Sequence, residues 1–194
     1  VEHWSAARAD QFRRAVELGV ATPLASYQFM DLGDLLDGTL FPPEIGSQWV
    51  AVADAIKAGA RVSFHSDSPV SPVTPLLDVQ CMASRRTPSG QLHGPNQAIS
   101  LDDALRAVTI NAAYHLRRDH DLGSIEVGKL ADFVELSADP YTVDAASLTD
   151  HVKVLGTWSN GRKVDADAFV ADVGRIDPQP HQHLHQHATT PKSC

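Results

Sequence analysis

The stretch Phe64-His65-Ser66-Asp67-Ser68-Pro69-Val70 places a carboxylate where an apolar run gives way to a proline-punctuated loop. The preceding Arg61-Val62-Ser63-Phe64-His65 alternates as a strand does, so the spacing puts Asp67 at the strand's C-terminal end. A carboxylate there can hold a water molecule and accept its proton, and a neutral imidazole can donate a nitrogen to zinc. The structural alternative stands beside this one: Asp after a strand commonly starts a turn. His65 shares strand parity with Asp67, which suits it either to orient that carboxylate through a hydrogen bond or simply to pack. His93, in a later loop, can reach a pocket or face solvent.

The flanking elements decide where these groups go. From Ser5 to Leu18, Ala9, Phe12 and Val16 recur at helical spacing, with Asp10 four residues before Arg14 and Gly19 as the stop. Val20 to Ser26 reads as a short buried strand, and the Gly, Pro and Asp content of Tyr27 to Gly46 predicts a long loop. Ser47 is the expected cap of a helix whose Trp49, Val52, Ala53 and Ile56 form one apolar stripe, ending at Gly59. Such β-α-β-α-β alternation favours a parallel sheet whose C-terminal strand ends converge, which would put His3, the Ser26 to Gln28 region and Asp67 on one face.

After Pro75, Leu76, Val79 and Ala83 predict another helix, residues 87–98 a loop, and Ser100-Leu101-Asp102-Asp103 a capped helix start with Leu101, Ala104, Leu105 and Val108 buried. Beyond His120 the period changes. Residues 130–136 and 152–158 read as strands, and Asn160-Gly161 is a tight-hairpin signal. From about Asp165 the apolar period stops, so disorder is expected for a tail that carries His181, His183, His185 and His187. Flexible histidines lack the fixed geometry of a catalytic centre, and an accessory or adventitious metal-binding role is expected for them.

Composition excludes several classes. A formal charge of −8 without a basic cluster argues against a nucleic-acid partner and leaves small molecules as the natural substrates. No charged-then-apolar leader and no span-length apolar run occurs, so no membrane partner and a cytoplasmic location are expected. Cys81 and Cys194 provide neither a disulfide framework nor a Cys-x-x-Cys zinc site. At 194 residues the chain can bury a core, yet a complete β/α barrel typically needs about 250.

With its flanks, Gly59 to Val70 resembles the final barrel strand of the amidohydrolase superfamily, most closely amidohydrolase family 3. Three stretches agree in order: Glu2-His3, Thr109-Ile110-Asn111-Ala112-Ala113, and Gly123-Ser124-Ile125-Glu126-Val127-Gly128-Lys129-Leu130-Ala131-Asp132. The resemblance implies an α/β fold: a partial TIM-like β/α barrel, its last strands and helices, over residues 1–118, and part of a small β-sandwich over 119–165, followed by the tail 166–194. It implies His3 and Asp67 as metal ligands, with Asp67 also the catalytic proton shuttle; the alternative for His3 is a strand-end histidine that hydrogen-bonds within the core. Arg85 falls where similar proteins often carry an arginine, which makes it either a substrate-binding candidate beside His93 or, like Arg86, a residue of a solvated helix end. Thr109 and Asn111 are expected to pack or to hydrogen-bond at a helix end.

The implied cofactor is a divalent metal, zinc foremost, with one or two ions in the complete protein. The implied activity is metal-dependent hydrolysis of a non-peptide C–N bond in an amide or N-acyl substrate. A cyclic amidase or deaminase of the same superfamily is an alternative, as is a non-catalytic scaffold remnant or metal-binding interaction module. The family's earlier ligands, a His-x-His pair, a mid-barrel carboxylate or modified lysine and a further histidine, have no counterpart here, so the isolated chain is expected to be inactive. A homo-oligomer is compatible with these features.

Overall fold

Two short parallel strands lie at the centre of the structure, a computed structural model that describes residues 2–168. Strand β1, Thr22–Leu24, pairs with β2, Val62–Phe64, in the register Thr22↔Val62, Pro23↔Ser63 and Leu24↔Phe64. Both are largely buried, with Leu24, Val62 and Phe64 in the core and the short polar side chains of Thr22 and Ser63 buried beside them, as strands covered on both faces are. Helix α1, Ala9–Glu17, precedes β1 and buries Phe12 and Ala15.

The connection between the strands is helical, which corrects the loop expected for 27–46. It contains α2, Ser26–Leu36, α3, Pro43–Gly46, and α4, Val52–Lys57. In α2, Tyr27, Phe29, Met30, Gly33 and Leu36 form a buried helical stripe, and that burial overrides the turn-forming composition. Gly33 is required by contact: a Cβ there would stand 2.8 Å from Cγ2 of Thr87.

Ser47 does not cap the next helix, which starts five residues later behind Ala51. The reason lies in Val50. Its φ is +55°, unusual for a β-branched residue, and it is fixed by a hydrogen bond from its N–H to the Ser5 carbonyl at 2.7 Å. The chain from 47 to 50 is therefore bent around a neighbour, the Arg85 side chain, rather than wound into a helix.

Helix α5, Pro75–Ser84, carries Val79, Cys81 and Met82 into the core and ends with Arg85 in a left-handed cap. A 3-10 turn at Pro95–Gln97 interrupts the expected loop. The cap on α6, Leu101–Ala107, forms as the sequence indicates, with Ser100 Oγ accepting from the Asp103 N–H at 3.0 Å. Thr109 then donates its hydroxyl to the Leu105 carbonyl at 2.7 Å, between α6 and α7, Ile110–His115.

A second sheet is antiparallel. Strand β3, Phe133–Leu136, pairs with β4, Val154–Ser159, and β4 with β5, Arg162–Lys163, through the positive-φ turn Asn160-Gly161. Between β3 and β4 the chain returns to α5: helix α8, Leu148–His151, packs there, and the Gln80 side chain accepts from both N–H and hydroxyl of Thr149 at 2.8 Å. Leu148 and Val152 belong to the same core cluster as Phe12, Leu24 and Val62. No helix among the described residues is long and apolar enough to cross a membrane.

Candidate active site

The two parallel strands deliver three chain segments to one place. The Ala25 N–H donates to the His3 carbonyl at 2.9 Å, and the His65 N–H donates to the Leu24 carbonyl at 3.1 Å, so the ends lie side by side. His3, with φ +76°, and Asp67, with φ +54°, both adopt left-handed backbone. Each such residue costs roughly 1 kcal/mol, and strain of this kind clusters where a side chain must be aimed.

Nε2 of His3 lies 3.3 Å from Oδ2 of Asp67, and the two side chains keep 39% and 41% of their surface exposed, so both are reachable from solvent. The same Oδ2 accepts the Tyr27 hydroxyl at 3.4 Å. Behind it stands a series of donors: Gln28 Nε2 to the Tyr27 oxygen at 3.2 Å, and Trp49 Nε1 to Gln28 Oε1 at 3.0 Å. His3, the 26–28 region and Asp67 lie together as expected, but residues 2–4 form no strand, so His3 sits beside the end of β1 and not at a strand end of its own; the donor series lies on α2 and the segment after α3, where a loop is expected for 27–46.

His65 meets the His3 ring edge to face, with centroids 5.0 Å apart. Its Nε2 is buried without a hydrogen-bond partner, and burial holds the imidazole below its ordinary pKa. Beneath this cluster the Ser26 hydroxyl donates to Asp78 Oδ1 at 2.6 Å, and burial pushes the Asp78 carboxyl up to about 6. Asp78 carried no signal in the sequence beyond its place on an apolar helix. A cleft of about 450 Å³ runs past His65, Asp67 and Asp78.

Arg85 and His93 are committed elsewhere. Arg85 is fully buried; Nε donates to the His93 carbonyl at 3.1 Å, and the two terminal nitrogens donate to the carbonyls of Val50, Ser47 and Trp49 at 3.0–3.2 Å. Burial lowers its pKa to about 9. With its donors on main-chain oxygens, the guanidinium binds the scaffold. His93 places Nδ1 2.7 Å from Asp37 and Nε2 2.8 Å from Asp34, so both ring nitrogens are occupied within the fold. Arg86 is exposed and donates to the Gly90 carbonyl at the helix end. The tail histidines lie outside the described residues.

Among the described residues no group of three or more His, Cys, Asp or Glu side chains converges as a metal cage. His3 and Asp67 nevertheless fit as one edge of a site. Donors about 2.0–2.2 Å from a tetrahedral ion stand roughly 3.3–3.5 Å from each other.

The profile of the amidohydrolase family matches residues 1–165. This chain belongs to that family. Among other amidohydrolases, the N-substituted formamide deformylase of Arthrobacter pascens is 31% identical over 170 residues, a match covering 83% of this chain and 30% of that protein. A solved structure described as an uncharacterized metal-dependent hydrolase from Pyrococcus horikoshii OT3 is 28% identical with a TM-score of 0.55, covering 66% of this chain and 26% of the other. An adenosine deaminase from Xanthomonas campestris with bound zinc shares the fold at a TM-score of 0.61 and 19% identity, covering 90% of this chain and 40% of its own. This amidohydrolase chain thus spans less than half the length of the relatives it matches.

Proposed function

We propose that this chain is the C-terminal part of a metal-dependent hydrolase that cleaves a non-peptide C–N bond in a small amide-like molecule. Residues 1–118 would be the last strands and helices of a β/α barrel, 119–165 part of a β-sandwich, and 166–194 a tail outside the catalytic body. The observation that carries this reading is the 3.3 Å approach of His3 Nε2 to Asp67 Oδ2 at the C-terminal ends of two parallel strands. His3 and Asp67 would hold a divalent ion, zinc being the first candidate, together with donors from upstream sequence.

Such an ion, when bound, lowers the pKa of water to about 7 and polarises a carbonyl. The chain's own groups do the rest. The Asp67 carboxylate is placed to take a proton from the attacking water and return it to the leaving nitrogen. The Tyr27 hydroxyl, donating to Asp67 Oδ2, fixes that oxygen's direction, and the Gln28 and Trp49 donors hold the tyrosine. Arg85 and His93 support the loops around the site and take no part in the chemistry.

The test is metal content and turnover of an upstream-extended protein with residues 177–194 removed. Stoichiometric metal that is lost in His3→Gln, and amide hydrolysis that is lost in Asp67→Asn, is the expected result. Normal metal-dependent turnover in Asp67→Asn, or metal bound only when the tail is present, overturns the assignment.

A further inference from the structure

The cleft beside Asp67 has an apolar side, formed by Phe64, Val73, Pro75, Val108 and Ala112, and a polar side of His65, Ser66, Ser68 and the Glu2 carboxylate; among the described residues no lysine or arginine lines it. Its floor carries Asp78. This carboxylate is 4% exposed, takes the Ser26 hydroxyl at 2.6 Å, and makes no ion pair among the described residues. A buried carboxylate ordinarily has a cationic partner, because an unpaired charge away from water is costly. Packing does not call for one: asparagine has the same shape, and the neighbouring positions Leu76, Leu77, Val79, Cys81 and Met82 are apolar.

We propose that Asp78 anchors a subsite for a hydrophobic amine, the nitrogen-bearing half of the substrate, whose ammonium or N–H group would complete the missing pair while its apolar body fills the cleft. The substrate class that follows is an amide or N-acyl derivative of a hydrophobic amine. This substrate class rests on the hydrolase reading; the amine binding itself does not. At about 450 Å³ the space is within the ordinary range for a small-molecule pocket and accommodates a six-membered ring. Asp78 stands eleven positions beyond Asp67 and lines the same cleft, so a bound amine lies beside the carboxylate that would return a proton to it.

The experiment uses the 194-residue chain in the presence of EDTA, so that metal plays no part. Cyclohexylamine, a cation at pH 7.5, and cyclohexanol, its neutral counterpart, are titrated while the backbone amides of Ser66, Asp78 and Val108 are followed by NMR. The expected result is saturable binding of the amine with contacts to the Val108 and Ala112 methyl groups, and at least tenfold weaker binding of the alcohol. Asp78→Asn should weaken the amine at least tenfold, and Ala112→Phe, which narrows the cleft without altering charge, should block it. Equal binding of amine and alcohol to the wild-type chain overturns the proposal without recourse to any variant, as does unchanged amine affinity in folded Asp78→Asn. Absence of amine binding to the wild-type 194-residue chain refutes the subsite alone, and absence of metal from the upstream-extended protein, with amine binding retained, refutes the hydrolase reading alone.

Discussion

The guanidinium carbon of Arg85 sits 3.9 Å from the centre of the Phe29 ring, so the end of α5 is joined to α2 by a buried cation that has no carboxylate partner among the described residues. Its compensation comes from the ring face and four main-chain carbonyls. Arg85→Met leaves the Ser47, Trp49 and His93 carbonyls without this donor, while Val50 keeps the Val52 N–H, and should cost about 3 kcal/mol or more in a denaturant unfolding measurement. Arg85→Lys should recover only a minor part, since an ammonium cannot reproduce the planar fork that spans them.

His93 makes a comparable joint between the loop after α5 and the end of α2. Replacing it with phenylalanine keeps an aromatic ring but strands Asp37, the more enclosed of the two carboxylates, whereas Asp34 retains the Thr87 hydroxyl as a donor. A loss of about 2–4 kcal/mol is expected. A double-mutant cycle with Asp37→Asn should return a coupling of about 1 kcal/mol or more; strict additivity would show that the pair contributes nothing.

Asp78 should make stability fall as pH rises through the weakly acidic range. Its carboxyl is raised from 3.8 to about 6 by burial, so between those values the folded state binds more proton than the unfolded state. This contribution favours folding at low pH and is lost as pH climbs through the folded value. Asp78→Asn, neutral throughout, should therefore raise the melting temperature at pH 7.5, by an amount worth up to about 3 kcal/mol, and show little advantage near pH 4. A constant difference between the two proteins across that window would contradict the assignment.

Tyr27→Phe removes the hydroxyl that Asp67 Oδ2 accepts while keeping the buried ring. In an active, upstream-extended protein this substitution should lower kcat about five- to tenfold, the equivalent of one ordinary hydrogen bond, with metal content unchanged. Equal loss of metal and rate would instead mean that Tyr27 shapes the ligand geometry.

Much of this arrangement is legible in residue order, and the exceptions have identifiable causes. The apolar run around 22–24 and the β-branched and aromatic residues of 61–65 locate β1 and β2, because strand propensity is a local property, although β2 is buried at all three positions and not at alternate ones. The Ser100 cap and the Asn160-Gly161 turn are also local chemistry. Helix α2 was obscured by Gly33 and its aspartates: the glycine is there for Thr87, a residue 54 positions away, and spacing cannot reveal such a neighbour. Ser47 misled for the same reason, since Arg85 claims the carbonyls that follow it. Of the site, the strand-end position of Asp67 could be read directly, whereas Tyr27, Gln28, Trp49 and Asp78 acquire their meaning only from contacts across the fold.

The return of the chain to α5 between β3 and β4 sets where the protein can be cut. Leu148 and Val152 act as stoppers for the core built by the first half, so a truncation after His120, which a change in sequence period would suggest, would leave Val79 and Met82 without part of their cover. Isolating the parallel-strand unit would require residues 139–152 to travel with it, spliced to its end, while β3, β4 and β5 could be exchanged around them.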